Sequence, residues 1–310
     1  MSTRRGTVDL TTLIGSVELP NPVMTASGTS GHGAELAAYF DLAALGAVVV
    51  KSLSAEPWPG NPPPRLKPVS GGMLNSVGLQ GPGVAAWLSR DLPALEEARA
   101  RVVVSIWGRR VEEYAKAAAL IAAASDSIIA VEVNVSCPNL DDGREMFARS
   151  PTATAEVVAA TAAAGLPRWV KLSPGTANLV EVATAAVHAG AAALTLVNTL
   201  PGLAIRTDSR TGALGGGGGG LSGPALHAVA LRAVADVAAE LPEVPIIGVG
   251  GVMSGVGAVE FLLAGARAVQ VGTATLLDPH APVRVLVELR RWCCANGVAR
   301  VADLVGGAHG

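Results

Sequence analysis

The chain has 310 residues, of which 50% are hydrophobic and 3% aromatic, and its formal net charge is -2. Such a chain can bury one large core, and without a basic run or an aromatic series it does not fit a nucleic-acid-binding protein. Because no stretch approaches the roughly 18 to 20 uninterrupted apolar residues of a membrane helix, we expect a soluble protein. The N-terminus has no signal-peptide pattern, and the three cysteines have no disulfide or metal-site spacing, so a reducing cytoplasm is the expected compartment.

Apolar runs and alanine-rich amphipathic segments alternate along the chain. The runs predict strands over residues 22–26, 47–52, 102–107, 128–136, 169–172, 193–197, 246–250 and 268–271. The segments predict helices over residues 33–45, 82–99, 111–124, 152–164, 177–189, 223–241, 254–264 and 281–295. An eightfold alternation of strand and helix is the pattern of a TIM barrel, an α/β fold with its active site at the carboxyl ends of the strands. We therefore predict a single (β/α)8 domain over residues 1–310.

Two long segments interrupt this alternation. Residues 53–83 follow the second strand and are rich in proline and glycine, which predicts an insertion that covers the site. Residues 199–220 follow the sixth strand and end in six consecutive glycines, 215–220. No strand directly precedes these glycines and no acidic ribose partner is evident, so a dinucleotide-binding motif is not indicated. We interpret the glycine-rich loop as flexible, a mobile lid or tether.

The fourth predicted strand ends in Asn134-Val135-Ser136-Cys137-Pro138-Asn139, which places a thiol between amides. A free cysteine often behaves as a small buried hydrophobe, but Cys137 has polar neighbours and Pro138 stops the strand. Ligands of α/β proteins bind beyond the carboxyl ends of such strands. No adjacent histidine could activate the thiol, so the local sequence is compatible with a packing role as well as a functional one.

Polar side chains also end other predicted strands. Two of the four lysines, Lys51 and Lys171, close the second and fifth strands, where a cation can hold an anion or stabilise charge that develops on a cofactor. Asn134 ends the fourth strand, and Asn198 with Thr199 ends the sixth. One such amide could merely cap a turn, but together they indicate a binding site.

Glycine motifs end the last two strands, at Gly250-Gly251 and at Gly272-Thr273. In TIM barrels the loops after strands seven and eight commonly bind phosphate through backbone N–H groups and a helix N-terminus. Glycine allows the backbone to approach the anion closely. These motifs therefore predict a phosphorylated ligand without identifying it.

Specific motifs extend over most of the chain, from residue 21 to about residue 306. They comprise residues 26–28, 51–52, 60–65, 72–80, 134–139, 197–199 and 220–225, together with the two glycine motifs. This set resembles the class 1 dihydroorotate dehydrogenases, and residues 73–80 are most similar to the 1B form. Gly81 and Ser105 stand where asparagine is usual in that form.

The resemblance implies oxidation of dihydroorotate to orotate in pyrimidine (UMP) biosynthesis, with FMN as the cofactor. Cys137 matches the catalytic base, which would take a proton from C5 while C6 gives a hydride to the flavin, and Lys51 and Lys171 would assist. The implied FMN contacts are Ser27, Lys51, Ser52, Ser105, Asn134, Lys171, Val197 and Gly223, with the phosphate at Gly250, Gly251, Gly272 and Thr273. The implied substrate contacts are Lys51, Asn75, Ser76, Val77, Gly78, Leu79, Asn134, Asn198 and Thr199.

The 1B form works with an electron-transfer subunit that carries FAD and a [2Fe-2S] cluster and passes electrons to NAD. The chain has no iron–sulfur cysteine cluster of its own, which fits such a partner, and a homodimer is also expected. No metal site is predicted. The alternatives are a divergent FMN barrel that acts on another cyclic amide such as a dihydropyrimidine, a non-redox phosphate-binding barrel, and a catalytically silent binding subunit.

Overall fold

A computed structural model describes residues 8–122, 124, 126–136 and 146–309, and the observations below concern these residues. The strands are β1 (Thr12–Ile14), β2 (Val17–Leu19), β3 (Val23–Thr25), β4 (Val48–Val49), β5 (Leu66–Val69), β6 (Gly72–Asn75), β7 (Val102–Ile106), β8 (Ile128–Asn134), β9 (Arg168–Leu172), β10 (Ala193–Leu196), β11 (Leu200–Gly202), β12 (Ile205–Arg206), β13 (Thr211–Gly212), β14 (Gly219–Ser222), β15 (Ile246–Val249) and β16 (Ala268–Val271). The α-helices are α1 (Val84–Arg90), α2 (Leu92–Glu97), α3 (Val111–Ile121), α4 (Pro151–Ala160), α5 (Leu179–His188), α6 (His227–Glu240), α7 (Gly255–Leu263), α8 (Thr273–Leu277) and α9 (Ala281–Ala295).

Eight parallel strands form the central sheet, in the order β3-β16-β15-β10-β9-β8-β7-β4. The two outer strands of this order also meet, since Met24 and Ala47 form a parallel bridge and the amide of Gly46 donates to the carbonyl of Val23 at 2.8 Å. The sheet is therefore closed into a barrel. The predicted TIM-barrel fold is confirmed, and each predicted strand is present, although β4 has only two residues.

The barrel strands are apolar on both faces because the inner face fills the barrel and the outer face packs against helices. Every residue of β7, β10 and β15 is buried. Met24 and Trp169 lie in one buried cluster at the end of the barrel where the strands begin. The β1–β2 hairpin closes this end with Ile14 and Leu19, which are fully buried in the same cluster.

Two predicted helices are broken in the structure. Residues 33–45 form two short 3-10 turns, Glu35–Ala38 and Leu42–Ala44, because the extended Asp41 interrupts the segment and caps the second turn. Residues 82–99 divide into α1 and α2 next to Pro93, whose ring cannot follow a continuous helix. None of the helices in the described ranges combines the length and the apolar composition needed to cross a bilayer.

The two interrupting segments meet in an antiparallel sheet of order β11-β14-β6-β5, which we call the covering sheet. In its register Gly220 is opposite Asn75, and Leu221 is opposite Leu74. The interpretation of the glycine run as a flexible lid or tether is wrong for its last residues, because Gly219 and Gly220 lie in β14. These glycines serve close packing, since a Cβ added at Gly219 would lie 2.5 Å from the Asn75 carbonyl oxygen.

Candidate active site

A cavity of about 280 Å³ lies at the carboxyl ends of the barrel strands. The barrel forms one part of its wall, and the covering sheet with the residues that follow β6 forms another. Most of the residues predicted for the site line this cavity: Ser27, Lys51, Ser52, Asn75, Val77, Gly78, Leu79, Asn134, Lys171, Val197, Asn198, Thr199, Gly223, Gly250, Gly251, Gly272 and Thr273.

Three predicted site residues are not among the lining residues. Ser105 is fully buried behind Ser52, and the two hydroxyl oxygens are 2.9 Å apart. The side chain of Ser76 accepts a hydrogen bond from Asn61 Nδ2 at 3.0 Å. Cys137 lies outside the described residues, although Ser136, which precedes it, lines the cavity.

Lys51 brings a positively charged side chain to the cavity. Its side chain is partly buried, and it makes no hydrogen bond or ion pair with the described residues. Burial lowers the pKa of the Lys51 ammonium, and the positive charge of Arg65 lowers it further. A desolvated cation of this kind favours an anionic ligand, which restores the balance of charge.

Lys171 belongs to a buried polar network below the cavity. Its ammonium donates to Ser27 Oγ at 3.1 Å and to Gln270 Oε1 at 3.4 Å, and it lies 3.6 Å from Glu132 Oε1. Gln270 Nε2 donates to Glu132 Oε2 at 2.7 Å. Glu132 and Gln270 are fully buried and were not predicted. Glu132 could have been found, because alternate residues of a strand share a face and Asn134 lies two residues later.

Asn134 is the centre of an amide network on the barrel side of the cavity. Its Nδ2 donates to Ser52 Oγ, and its Oδ1 accepts from Asn198 Nδ2, each at 3.2 Å. The hydroxyl of Tyr114 donates to its backbone carbonyl at 2.8 Å. Asn198 Oδ1 in turn accepts from the amide of Thr199 at 2.9 Å. These bonds fix the orientation of the amides toward a ligand.

Glycines form a backbone cradle at the other end of the cavity. Gly223, Gly250 and Gly251 have φ values of 95°, 134° and 68°, which side chains rarely adopt. A Cβ added at Gly251 would lie 2.7 Å from His227 Cβ. Backbone N–H groups exposed in this way can bind a phosphate. The cavity therefore suits a ligand that has a phosphate at one end and a polar ring system beside the lysines.

Known proteins resemble this chain over nearly its whole length. The family model described as dihydroorotate dehydrogenase matches residues 9–292. A protein of Geobacter sulfurreducens named dihydroorotate dehydrogenase B (NAD(+)), catalytic subunit, is 46% identical over 299 residues, 96% of this chain and 97% of its own. Proteins with the same name from Pelobacter propionicus (46% over 299 residues, 96% and 98% of the two chains) and Geotalea uraniireducens (45% over 302 residues, 97% and 98%) are similar to the same degree.

Proposed function

This chain belongs to the dihydroorotate dehydrogenase family, and we propose that it is a catalytic subunit that oxidises dihydroorotate to orotate for pyrimidine biosynthesis, with FMN as its cofactor. One observation carries this proposal. Lys51, which is partly buried and has no side-chain partner among the described residues, shares one cavity with the ordered amides of Asn134 and Asn198 and with a glycine cradle. The cavity thus offers partners for a carboxylate, for ring amides and for a phosphate.

The residues present fit FMN. Gly250, Gly251, Gly272 and Thr273 line the cavity together and would hold the phosphate through their backbone N–H groups. Ser27, Asn134, Lys171 and Val197 line the part of the cavity that would hold the ring. FMN, when bound, supplies the hydride acceptor. The ammonium of Lys171 would stabilise negative charge on the ring and would so favour its reduced form.

Lys51 would bind the carboxylate of dihydroorotate, and the side chains of Asn75, Asn134 and Asn198 would pair with the ring amides. A cation together with several amides matches the hydrogen-bonding groups of this substrate. An uncharged dihydropyrimidine would offer no negative charge to Lys51, which has no side-chain partner among the described residues. The electrostatics of the cavity therefore favour dihydroorotate over that alternative.

Cys137 is our proposed base, on the strength of the family resemblance and of the place where the described part of the strand ends. Ser136 lines the cavity, so the chain leaves β8 beside the expected substrate. A thiol has an unperturbed pKa of about 8.5 and can accept a proton near neutral pH once it is partly activated. We expect Cys137→Ser to slow flavin reduction by dihydroorotate without loss of FMN.

We further propose that electrons leave through a partner subunit that carries FAD and a [2Fe-2S] cluster, with NAD as the final acceptor, and that the subunit forms a homodimer. The names of the relatives, which are catalytic subunits of NAD(+)-dependent enzymes, support the first part. A reducing cytoplasm fits the free thiols of Cys293 and Cys294. Fumarate reduction by the chain alone would contradict this electron route.

Anaerobic titration of the FMN-loaded protein with dihydroorotate tests the function. We expect bleaching of the flavin by dihydroorotate, a much weaker response to dihydrouracil, and loss of the response at low concentration in Lys51→Met. Lys67→Met is the matched control, because Lys67 is exposed on β5 and does not line the cavity. Protein that stays colourless after addition of FMN, or equal bleaching in Lys51→Met and the wild type, would refute the proposal.

A further inference from the structure

We infer that residues 215–220, the hexaglycine segment, position the substrate-binding wall of the cavity. The inference rests on the proposed function, because it assigns a role at the same site. The segment packs its backbone against Asn75, Ser76 and Thr199, where side chains would not fit. The close packing of this segment therefore holds in place the residues that are expected to face dihydroorotate.

The first contact involves the start of the loop that follows β6. A Cβ added at Gly216 would overlap Ser76 Oγ and would lie 2.7 Å from Asn61 Nδ2. Asn61 Nδ2 donates to both Ser76 Oγ, at 3.0 Å, and the Ser76 carbonyl, at 3.3 Å. Gly216 thus packs directly on the pair of side chains that anchors the loop. A side chain at this position would have to move Ser76 Oγ and Asn61 Nδ2, and so would disturb the hydrogen bond between them beside Val77 and Gly78, which line the cavity.

The second contact lies inside the covering sheet. Gly220 pairs with Asn75 on one side and with Pro201 on the other, and its carbonyl accepts from Asn75 Nδ2 at 3.2 Å. A Cβ added at Gly220 would overlap the side chain of Thr199. The backbone of Gly220 therefore contacts both Asn75 and Thr199. Both of these residues line the cavity.

Two other glycines of the segment, Gly217 and Gly218, show that this requirement is specific to position. A Cβ added at Gly217 would meet nothing within 4 Å, and one at Gly218 would lie 3.4 Å from the Gly202 carbonyl oxygen, an ordinary contact. Gly217 has a φ of 82°, whereas Gly218 has no such restriction. A flexible tether would need no particular glycine more than another. Here the positions that face the substrate wall are closed to side chains, and Gly218 is not.

Gly216→Ala and Gly220→Ala test this inference, with Gly218→Ala as the matched control. Orotate affinity is measured by perturbation of the flavin spectrum in FMN-loaded protein. We expect a loss of roughly tenfold or more in the first two variants, because small displacements of positioning groups are costly, and less than about twofold in the control, which makes no close contact. The flavin content of all three variants should stay near that of the wild type. If Gly220→Ala does not fold, the comparison of Gly216→Ala with Gly218→Ala still tests the inference. Equal losses in all three variants, or no loss in any, would overturn the inference.

Amide hydrogen exchange of residues 72–79, measured without orotate, separates this inference from the proposed function. Exchange should be faster in Gly216→Ala and Gly220→Ala than in the wild type, and unchanged in Gly218→Ala. If the wild type bound no orotate, the proposed function would be refuted. The hydrogen-exchange rates would still decide whether the hexaglycine segment supports the substrate-binding wall. Unchanged exchange in all variants would refute the support role even if orotate binds.

Discussion

The buried pair of Glu132 and Lys171 leads to a quantitative prediction for a double-mutant cycle. Their charged atoms are 3.6 Å apart, and the two side chains are 0% and 4% exposed. With an effective dielectric constant of about 20, the attraction at this distance is ~5 kcal/mol. The cost of removing both charges from water offsets most of this attraction. The pair therefore contributes little net stability, although removal of one partner leaves a buried, uncompensated charge.

We expect Glu132→Met and Lys171→Met each to lower the free energy of unfolding by about 3–5 kcal/mol. The double variant should lose clearly less than the sum of the two single losses, because no buried charge remains, although the buried amide of Gln270 loses two hydrogen-bond partners. Urea denaturation followed by tryptophan fluorescence measures all four proteins. The measurement uses FMN-free protein, so that differences in cofactor affinity do not enter.

The sign of the coupling decides the outcome. If the double variant loses the sum of the two single losses, the charges do not compensate each other and the reasoning is refuted. A single variant as stable as the wild type would also refute the reasoning, because the buried charge that remains in that variant would then need no partner.

Two further predictions concern the two ends of the cavity. Since the pKa of Lys51 is lowered by burial and by Arg65, the ammonium is lost as pH rises through a value below the ordinary lysine range, and orotate affinity should fall there. Arg65→Gln should move the fall in orotate affinity to higher pH. Orotate titrations of both proteins at several pH values measure this shift. Constant orotate affinity of the wild type up to the usual lysine pKa would contradict the prediction. At the other end, Gly251→Ala should lower FMN affinity, whereas Gly165→Ala, which has the same φ of 68° but no neighbour within 4 Å, should keep it. Equal FMN affinity of these two variants, measured by quenching of flavin fluorescence, would show that the overlap with His227 does not matter.

The barrel could be predicted because its strands are continuous apolar runs between helices, a pattern that burial on both faces imposes. The covering sheet could not be predicted from the sequence. Its strands contain glycine and proline, which have low strand propensity, and nearly half of the chain lies between β6 and its partner β14. The three-residue strands of the β1–β2 hairpin are likewise too short to show a period.

The site was predictable as a set of positions but not in every side-chain direction. Strand-end lysines, amides and glycines indicated the cavity, because the carboxyl ends of parallel strands meet at one edge. A motif, however, specifies neighbours in sequence and not which of them faces the ligand. Ser105 therefore lies behind Ser52, and Ser76 contacts Asn61 instead of lining the cavity. The network of Glu132 and Gln270 was missed because its two strands are distant in sequence.

The covering sheet also divides the cavity between two scaffolds. The residues expected to hold the cofactor stand mainly on the rim of the barrel, whereas Asn75 and its successors belong to the covering sheet and the loop that leaves it. Substitutions in that sheet would change one wall of the expected substrate site, while Lys51 and Asn134 on the barrel and the cradle for the cofactor stay intact. A lineage could in this way acquire a new substrate without rebuilding its redox centre, and a protein engineer could direct variation to residues 66–79 and 199–222 for the same purpose.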